Sequence, residues 1–343
     1  MKSLVYDGPN EMHVEQRTLP QAKAGQVRLK ISACGICGSD IAGYQGLTGR
    51  RTPPLVMGHE FCGVIDAVGE GCSGNFHVGE RVVVQPKDFC TQCGNCKEGL
   101  TNICEQNIPI MGCIDVDGAF QEYLCVEEKL LYPMPDSMTD REGALIEPLA
   151  VAYGAVLKAG ALKDKAVLIV GGGTIGLMVL SIVKAMGAAP ILVSDLNPMR
   201  LEAAKQMGAD AIINPGEAEL VGQVQNANGG KLCDVAFECV GMTPTVQQAM
   251  MCLRQFGTAV WVGNNRKMIE INMQEIVTRQ LRVFGTFIYT HEQFGQAMRF
   301  LHENRLDLSR VITKTVSIDE APETFAALAR SQQEDIKVIV RLH

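Results

Sequence analysis

The 343-residue sequence lacks any cluster of lysine or arginine; its 31 basic side chains are spread among 38 acidic ones, giving a net charge of −7. With no basic field to follow phosphates, nucleic acid is excluded as an expected partner. An apolar leader is also missing, because Met1 to Glu15 mixes charged and apolar residues at strand spacing, so secretion is not indicated. The longest apolar stretch, Ala166 to Val183, is broken at its centre by Gly171-Gly172-Gly173-Thr174. That pattern suits a buried strand, a turn and a buried helix rather than a membrane span, and no membrane partner is expected. Low-complexity segments and internal repeats are absent as well. Thirteen cysteines cannot all pair. Four sit close together and nine lie scattered in apolar stretches, which argues for a reducing, cytoplasmic setting with bound metal rather than a disulfide scaffold.

What is present describes a globular chain of two domains, with 47% hydrophobic and 20% charged residues. Up to about Pro135 the text runs as short β-branched segments between Gly, Pro and Asn: Val27 to Ile31, Phe61 to Val68, Arg81 to Val84, Phe120 to Val126. This rhythm predicts an all-β unit. From about Ala150 apolar strands alternate with helices. Strands are expected over Ala166–Val170, Ile191–Ser194, Ala211–Ile213, Asp234–Glu238 and Thr258–Val262, with helices from Ile175, over Met199–Met207 and over Thr245–Phe256. Such alternation means a parallel sheet with right-handed crossovers. The tail predicts helices over His291–Glu303 and Ala321–Arg330 and strands near Thr313–Ile318 and Lys337–Leu342. A last strand that short needs an existing sheet to join, which returns the tail to the first domain. The domains are therefore expected at 1–152 with 287–343, and at 153–286.

Val167 to Val170 leads into Gly171-Gly172-Gly173-Thr174-Ile175-Gly176, which satisfies G-x-G-x-x-G. The glycines permit a tight turn and the approach of a pyrophosphate to the amino terminus of the following helix. The motif alone is weak in a chain with 35 glycines. Its context strengthens it, since Asp195 ends the next strand where an acid would bind the adenosine ribose hydroxyls. The plainer reading of Asp195 is a cap ahead of Asn197-Pro198, and that of Arg200 a solvated helix residue. A carboxylate at this place repels a 2′-phosphate and favours NAD, with Arg200 able to soften the preference. Val240 and Val262 complete the expected cofactor set.

Cys90, Cys93, Cys96 and Cys104 give C-x2-C-x2-C-x7-C in a stretch rich in Gly, Asn, Thr and Lys. Four thiolates so spaced can enclose a tetrahedral structural zinc. The rival is an iron–sulfur cluster, whose bacterial run has a shorter last gap and a proline where this chain has Glu105. Elsewhere, Cys37 in Cys34-Gly35-Ile36-Cys37-Gly38-Ser39-Asp40 and His59 in Gly58-His59-Glu60 offer a thiolate and an imidazole on separate strand ends. By themselves they read as a buried hydrophobe and a satisfied core histidine.

Taken together, these motifs make the whole chain resemble the zinc-containing medium-chain dehydrogenases, close to the sorbitol, butanediol and threonine dehydrogenase branch. The resemblance implies a GroES-like catalytic domain with a structural-zinc lobe, a Rossmann-type doubly wound dinucleotide domain, two zinc ions per chain and a homodimer or homotetramer. It makes Cys37 and His59 catalytic-zinc ligands. Glu60 either ligates the ion or stands just behind it, and Glu147, in Glu147-Pro148-Leu149-Ala150, takes the place of a third ligand. Ser39 hands the substrate's proton toward solvent, and Asp40 is a supporting or loop-anchoring residue. By the same resemblance Cys90, Cys93, Cys96 and Cys104 are the structural-zinc lobe.

Two departures stand out. Many relatives carry a histidine five residues after the zinc cysteine, where this chain has Ala42, so the proton must leave by water and Glu60 or Glu147. Sorbitol-type enzymes read Phe-Arg-Tyr where this chain reads Phe287-Ile288-Tyr289, which removes guanidinium donors from the pocket. The expected activity is oxidation of a secondary hydroxyl of a polyol, sugar acid or diol with NAD. L-Threonine or another amino alcohol is the alternative substrate, and a non-enzymatic NAD-binding protein or a zinc-ribbon module are readings from other classes.

Overall fold

In the computed structural model, which describes residues 1–331 and 335–343, alternation of buried and exposed residues builds the amino-terminal half. Strands β1 (Lys2–Gly8) and β2 (Glu11–Gln16) form a hairpin, β3 (Gln26–Ile36) follows, and α1 (Gly38–Tyr44) starts directly after Cys37. Next come β4 (Leu55–Val56), β5 (Glu60–Val68), β6 (Arg81–Val84), the one-turn α2 (Gly94–Lys97), β7 (Tyr123–Glu127) and β8 (Leu131–Pro133). Strand β3 buries Val27, Leu29 and Ile31 and turns Lys30 outward. It pairs antiparallel with β5 and β7, while β6 lies between β5 and β8. Phe61, Ile65, Val82, Val84 and Phe120 fill one apolar cluster, each such side chain contributing about 1.5–3 kcal/mol on burial. The strand expected from Phe120 begins only at Tyr123, because Phe120 N–H donates to Met57 O and Phe120 O accepts from Leu4 N–H instead of joining the ladder.

Two helices follow: α3 (Asp140–Gly143), opened by a Thr139/Glu142 capping box, and α4 (Ile146–Lys158). The second half alternates strand and helix: β9 (Val167–Val170), α5 (Thr174–Ala185), β10 (Ile191–Ser194), α6 (Pro198–Gln206), β11 (Ala211–Ile213), α7 (Leu220–Ala227), which was not expected from the sequence, and β12 (Cys233–Glu238). It continues with α8 (Thr243–Met251), β13 (Leu253–Trp261), α9 (Met273–Thr278) and β14 (Arg282–Gly285). All six strands are parallel, in the order β11-β10-β9-β12-β13-β14. This is a Rossmann-type doubly wound sheet, and the strand order reverses between β9 and β12, where such sheets open a ligand crevice at their carboxyl ends. The helix expected over Thr245–Phe256 stops at Met251. Cys252 O accepts from Cys233 N–H, which draws Leu253 into the ladder, and Phe256 takes φ 59°.

After α10 (His291–Glu303), β15 (Ile312–Ser317) leads through α11 (Ala321–Arg330) to β16 (Lys337–Arg341). Strand β16 lies parallel to β15 and antiparallel to β3, so it extends the first sheet. Residues 1–147, 290–295 and 312–343 form one compact unit, and 148–289 with 296–311 the other. No helix among the described residues is long and apolar enough to cross a membrane.

Candidate metal centres and dinucleotide site

The end of β3 and the start of β5 bring the first donor group together. Cys37 caps α1: its Sγ accepts from Ser39 N–H at 3.5 Å, and its own N–H donates to Asp40 Oδ2 at 3.1 Å. His59 and Glu60 enter at the head of β5, where Glu60 stands opposite Gly35 of β3. One ligand atom from each of Cys37, His59 and Glu60 lies within 4.8 Å of the others. A thiol, an imidazole and a carboxylate at that spacing suit zinc, which takes sulfur, nitrogen and oxygen donors alike. Glu147 is buried in the first turn of α4 and is not one of the three. Ser39 is exposed on the first turn of α1.

Behind the donors lies a shell of fully buried charge. Asp40 Oδ1 faces His59 Nδ1 at 3.4 Å, an ion-pair distance rather than a well-formed hydrogen bond, and among the described residues His59 Nδ1 has no other partner. A ligating imidazole commonly turns its second nitrogen to a carboxylate in this way, which is a further mark of fit to a metal. Burial alone would push the Asp40 carboxyl up, but His59, Arg51 and the Cys37 N–H outweigh it and hold its pKa down at about 2. For His59, burial pulls the imidazole down, yet Asp40 and Cys37 leave it well above the ordinary histidine value.

Three residues beyond the site residues expected from the sequence support these sites. Lys337, at the head of β16, donates to both Glu60 carboxylate oxygens at 2.8 and 2.7 Å and to Ile36 O at 3.0 Å. Both side chains are buried, so removing either would strand the other charge at a cost of about 3–5 kcal/mol. Gly35 makes the arrangement possible, since a Cβ there would collide with Glu60 Oε2. Arg51 donates from Nη2 to Asp40 Oδ1 at 3.0 Å and from Nη1 to Cys113 Sγ at 3.0 Å. Glu238 is the third and supports the turn after β12, in the candidate dinucleotide site. A buried cation gives no local sequence signal; Lys337 precedes Val338-Ile339-Val340 and reads there as a strand end.

The second donor group is the loop between β6 and β7. The sulfurs of Cys90, Cys93, Cys96 and Cys104 lie within 4.8 Å of one another, and all four cysteines are free. Backbone amides point at them: Gln92 and Cys93 N–H donate to Cys90 Sγ, Cys96 N–H to Cys93 Sγ and Cys90 N–H to Cys104 Sγ. Those donors push the Cys90 thiol below its ordinary value. Amide donation to sulfur stabilises thiolate, the form that binds zinc, so the residues fit a closed tetrahedral ion.

At the carboxyl end of β9, Gly171 takes φ 103°, and a Cβ on Gly176 would meet Gly171 O, so the turn closes tightly onto α5. Gly173 is the N-cap of α5 and offers no side-chain acceptor to the first turn, Thr174-Ile175-Gly176. A Cβ added to Gly173 would meet open space, so the turn leaves room for a ligand at the start of α5. Asp195 accepts from Gly172 N–H at 2.7 Å and Asn197 N–H at 2.8 Å, and it is Asn197 that caps α6. Arg200 Nη1 stands 3.8 Å from Asp195 Oδ2. Val240 follows β12 and Val262 follows β13. Glu238 Oε1 accepts from Val240 N–H, Gly241 N–H and Thr245 Oγ1, which locks the turn that carries Val240.

Comparison with known proteins gives a consistent result. The alcohol dehydrogenase GroES-like domain matches residues 23–136, and the zinc-binding dehydrogenase domain matches residues 174–303. A sorbitol dehydrogenase of Bacillus subtilis is 33% identical over 99% of this chain and 97% of its own. The (R,R)-butanediol dehydrogenase of the same organism is 35% identical over 99% of each chain. Among solved structures, an alcohol dehydrogenase from Escherichia coli CFT073 complexed with NADH superposes with a TM-score of 0.91 at 30% identity, covering 99% of both chains.

Proposed function

The chain belongs to the zinc-containing medium-chain alcohol dehydrogenases, and from that footing we propose that it oxidises a secondary hydroxyl of a polyol, sugar acid or diol to a ketone, with NAD as hydride acceptor. The observation that carries this reading is the convergence of Cys37, His59 and Glu60 with Asp40 behind the imidazole. Cys37 and His59 would hold the catalytic zinc, with Glu60 and Glu147 as its acidic neighbours. Zinc at that place supplies Lewis acidity that lowers the pKa of a hydroxyl. Ser39, exposed two residues beyond Cys37, passes the hydroxyl proton toward solvent; Ala42 offers no imidazole to continue the relay. NAD, when bound, would supply the acceptor for the carbinol hydrogen and its bonding electron pair, and the carbon–oxygen bond would become a carbonyl. The glycine turn at Gly171, Gly173 and Gly176 and the amides of Thr174 and Ile175 receive the pyrophosphate. Asp195 receives the ribose, with Val240 and Val262 along the cofactor's path. Asp195 favours NAD over NADP, and Arg200 tempers that preference by its nearness to the carboxylate.

We also propose a homo-oligomer, a dimer at least. Strand β14 ends the parallel sheet, and Met268, Met273, Val277 and Phe284, on and near it in sequence, are exposed. Sedimentation equilibrium is expected to give twice the chain mass or more; a monomer at micromolar concentration refutes this.

A panel of polyols, sugar acids, vicinal diols and L-threonine, each with NAD and followed by NADH absorbance, tests the substrate class. Turnover of a polyol, sugar acid or diol is expected. Efficient oxidation of threonine alone would replace this reading with that of an amino-alcohol dehydrogenase.

A further inference from the structure

Asp40 stands at the crossing of both protein ligands to the proposed catalytic zinc. Its Oδ2 holds the Cys37 amide and its Oδ1 faces the His59 ring. The carboxylate is wholly buried, and a buried anion next to a ligating thiol is stable only if a cation answers it. The cation is Arg51, whose side chain is 3% exposed and whose Nη2 sits 3.0 Å from Asp40 Oδ1. Its seat is built from three directions. Gly43 of α1 leaves the room, since a Cβ there would lie 2.8 Å from Arg51 Cγ. The backbone around Arg51 is tied to the segment ahead of β7, with Ile114 N–H donating to Arg50 O and Thr52 N–H to Ile114 O. Cys113 Sγ accepts from Nη1 at 3.0 Å. An arginine on a surface loop would ordinarily keep its guanidinium in water. Here that group has been buried against an acid, with Nε left without a partner.

We propose that Arg51 is a positioning residue for the catalytic metal centre: it fixes Asp40, and through Asp40 it sets both the Cys37 backbone and the His59 ring for zinc. This rests on the reading of Cys37 and His59 as zinc ligands. The guanidinium holds the same oxygen that faces the imidazole, Oδ1, so it fixes the position of the acid beside His59. Loss of an outer partner of a zinc ligand commonly weakens metal binding by about 10–100-fold, and the lower end of that range is expected for Arg51, one residue farther out.

The test follows release of zinc to a chelator from the intact protein, with a colorimetric dye and zinc content by mass spectrometry. The four-cysteine zinc serves as the internal standard, and NADH binding reports that the dinucleotide site is folded. The native chain is expected to carry two zinc ions. A single ion, unaffected by His59→Ala, would remove the catalytic-zinc reading itself. With two ions present, Arg51→Gln is expected to release one of them about tenfold faster and keep the four-cysteine ion, while Arg51→Lys stays within about threefold of native. Native release from Arg51→Gln, or equal acceleration in Arg51→Gln and Arg51→Lys, overturns the proposal. Because Arg51→Gln alone leaves Asp40 unanswered and can unfold the loop, the pair Asp40→Asn with Arg51→Gln gives a second measure. Its release rate is expected to equal that of Asp40→Asn alone. A rate fivefold faster than Asp40→Asn overturns the proposal as well.

Discussion

Asp195 braces the glycine turn and is also the residue to which the proposed NAD preference is assigned. Its oxygens accept backbone amides from Gly172 and from Asn197, and Arg200 Nη1 stands 3.8 Å from Oδ2. The sequence placed the acid at the end of β10 but could not show that it also braces the glycine turn. Replacing it removes the repulsion of a 2′-phosphate and leaves Arg200 as the nearest charge. Asp195→Ser is therefore expected to raise the NADP-to-NAD ratio of kcat/KM by about tenfold or more, on the scale of one lost like-charge contact; an unchanged ratio in steady-state kinetics counts against the assignment. Lys337 marks the opposite case. Its partner Glu60 lies 277 residues away along the chain, and no local pattern announces such a pair. Ile288, where sorbitol-type relatives carry arginine, adopts φ 42°, a conformation that β-branched residues avoid. The strain falls in the same three residues that set this chain apart by sequence.

Among the elements, those with a strong period were legible and those that depend on neighbours were not. Strand β9, the glycine turn and α5 stand where the apolar run and the Gly-rich motif put them. The boundary between α8 and β13 moved because Ala249 to Leu253 is apolar and suits either structure. Its outcome was decided by Cys233, which pairs with Leu253. The loop carrying Cys90, Cys93, Cys96 and Cys104 has a plain signature because its ligands are close in sequence. It also has little core of its own, since α2 buries none of its residues. A zinc ion held by the four thiolates would add to the order that packing against the first domain's core provides. Cys93→Ser is expected to lower zinc content by one ion per chain and to reduce the thermal midpoint, with NADH affinity unchanged. Full zinc retention in that variant contradicts a four-thiolate site.

At the scale of the whole chain, five strands of the parallel sheet were legible because strands and helices alternate, whereas its spatial order and the edge strand β14 were not. The first sheet could be read only in part. Its strand order, β15-β16-β3-β5-β6-β8, joins the carboxyl-terminal strands to residues 26–36, a closure that depends on long-range pairing. That closure also delivers Lys337 to Glu60, so the tail of the chain completes the surroundings of a donor group built near its start. The central claim is that Cys37 and His59 hold a zinc ion whose Lewis acidity the oxidation by NAD requires. The most direct measurement is turnover of the best alcohol substrate with NAD by Cys37→Ala and His59→Ala, alongside NADH binding by fluorescence. The account predicts loss of turnover by at least about 10³-fold with NADH affinity within a few-fold of native; near-normal turnover in either variant would contradict it.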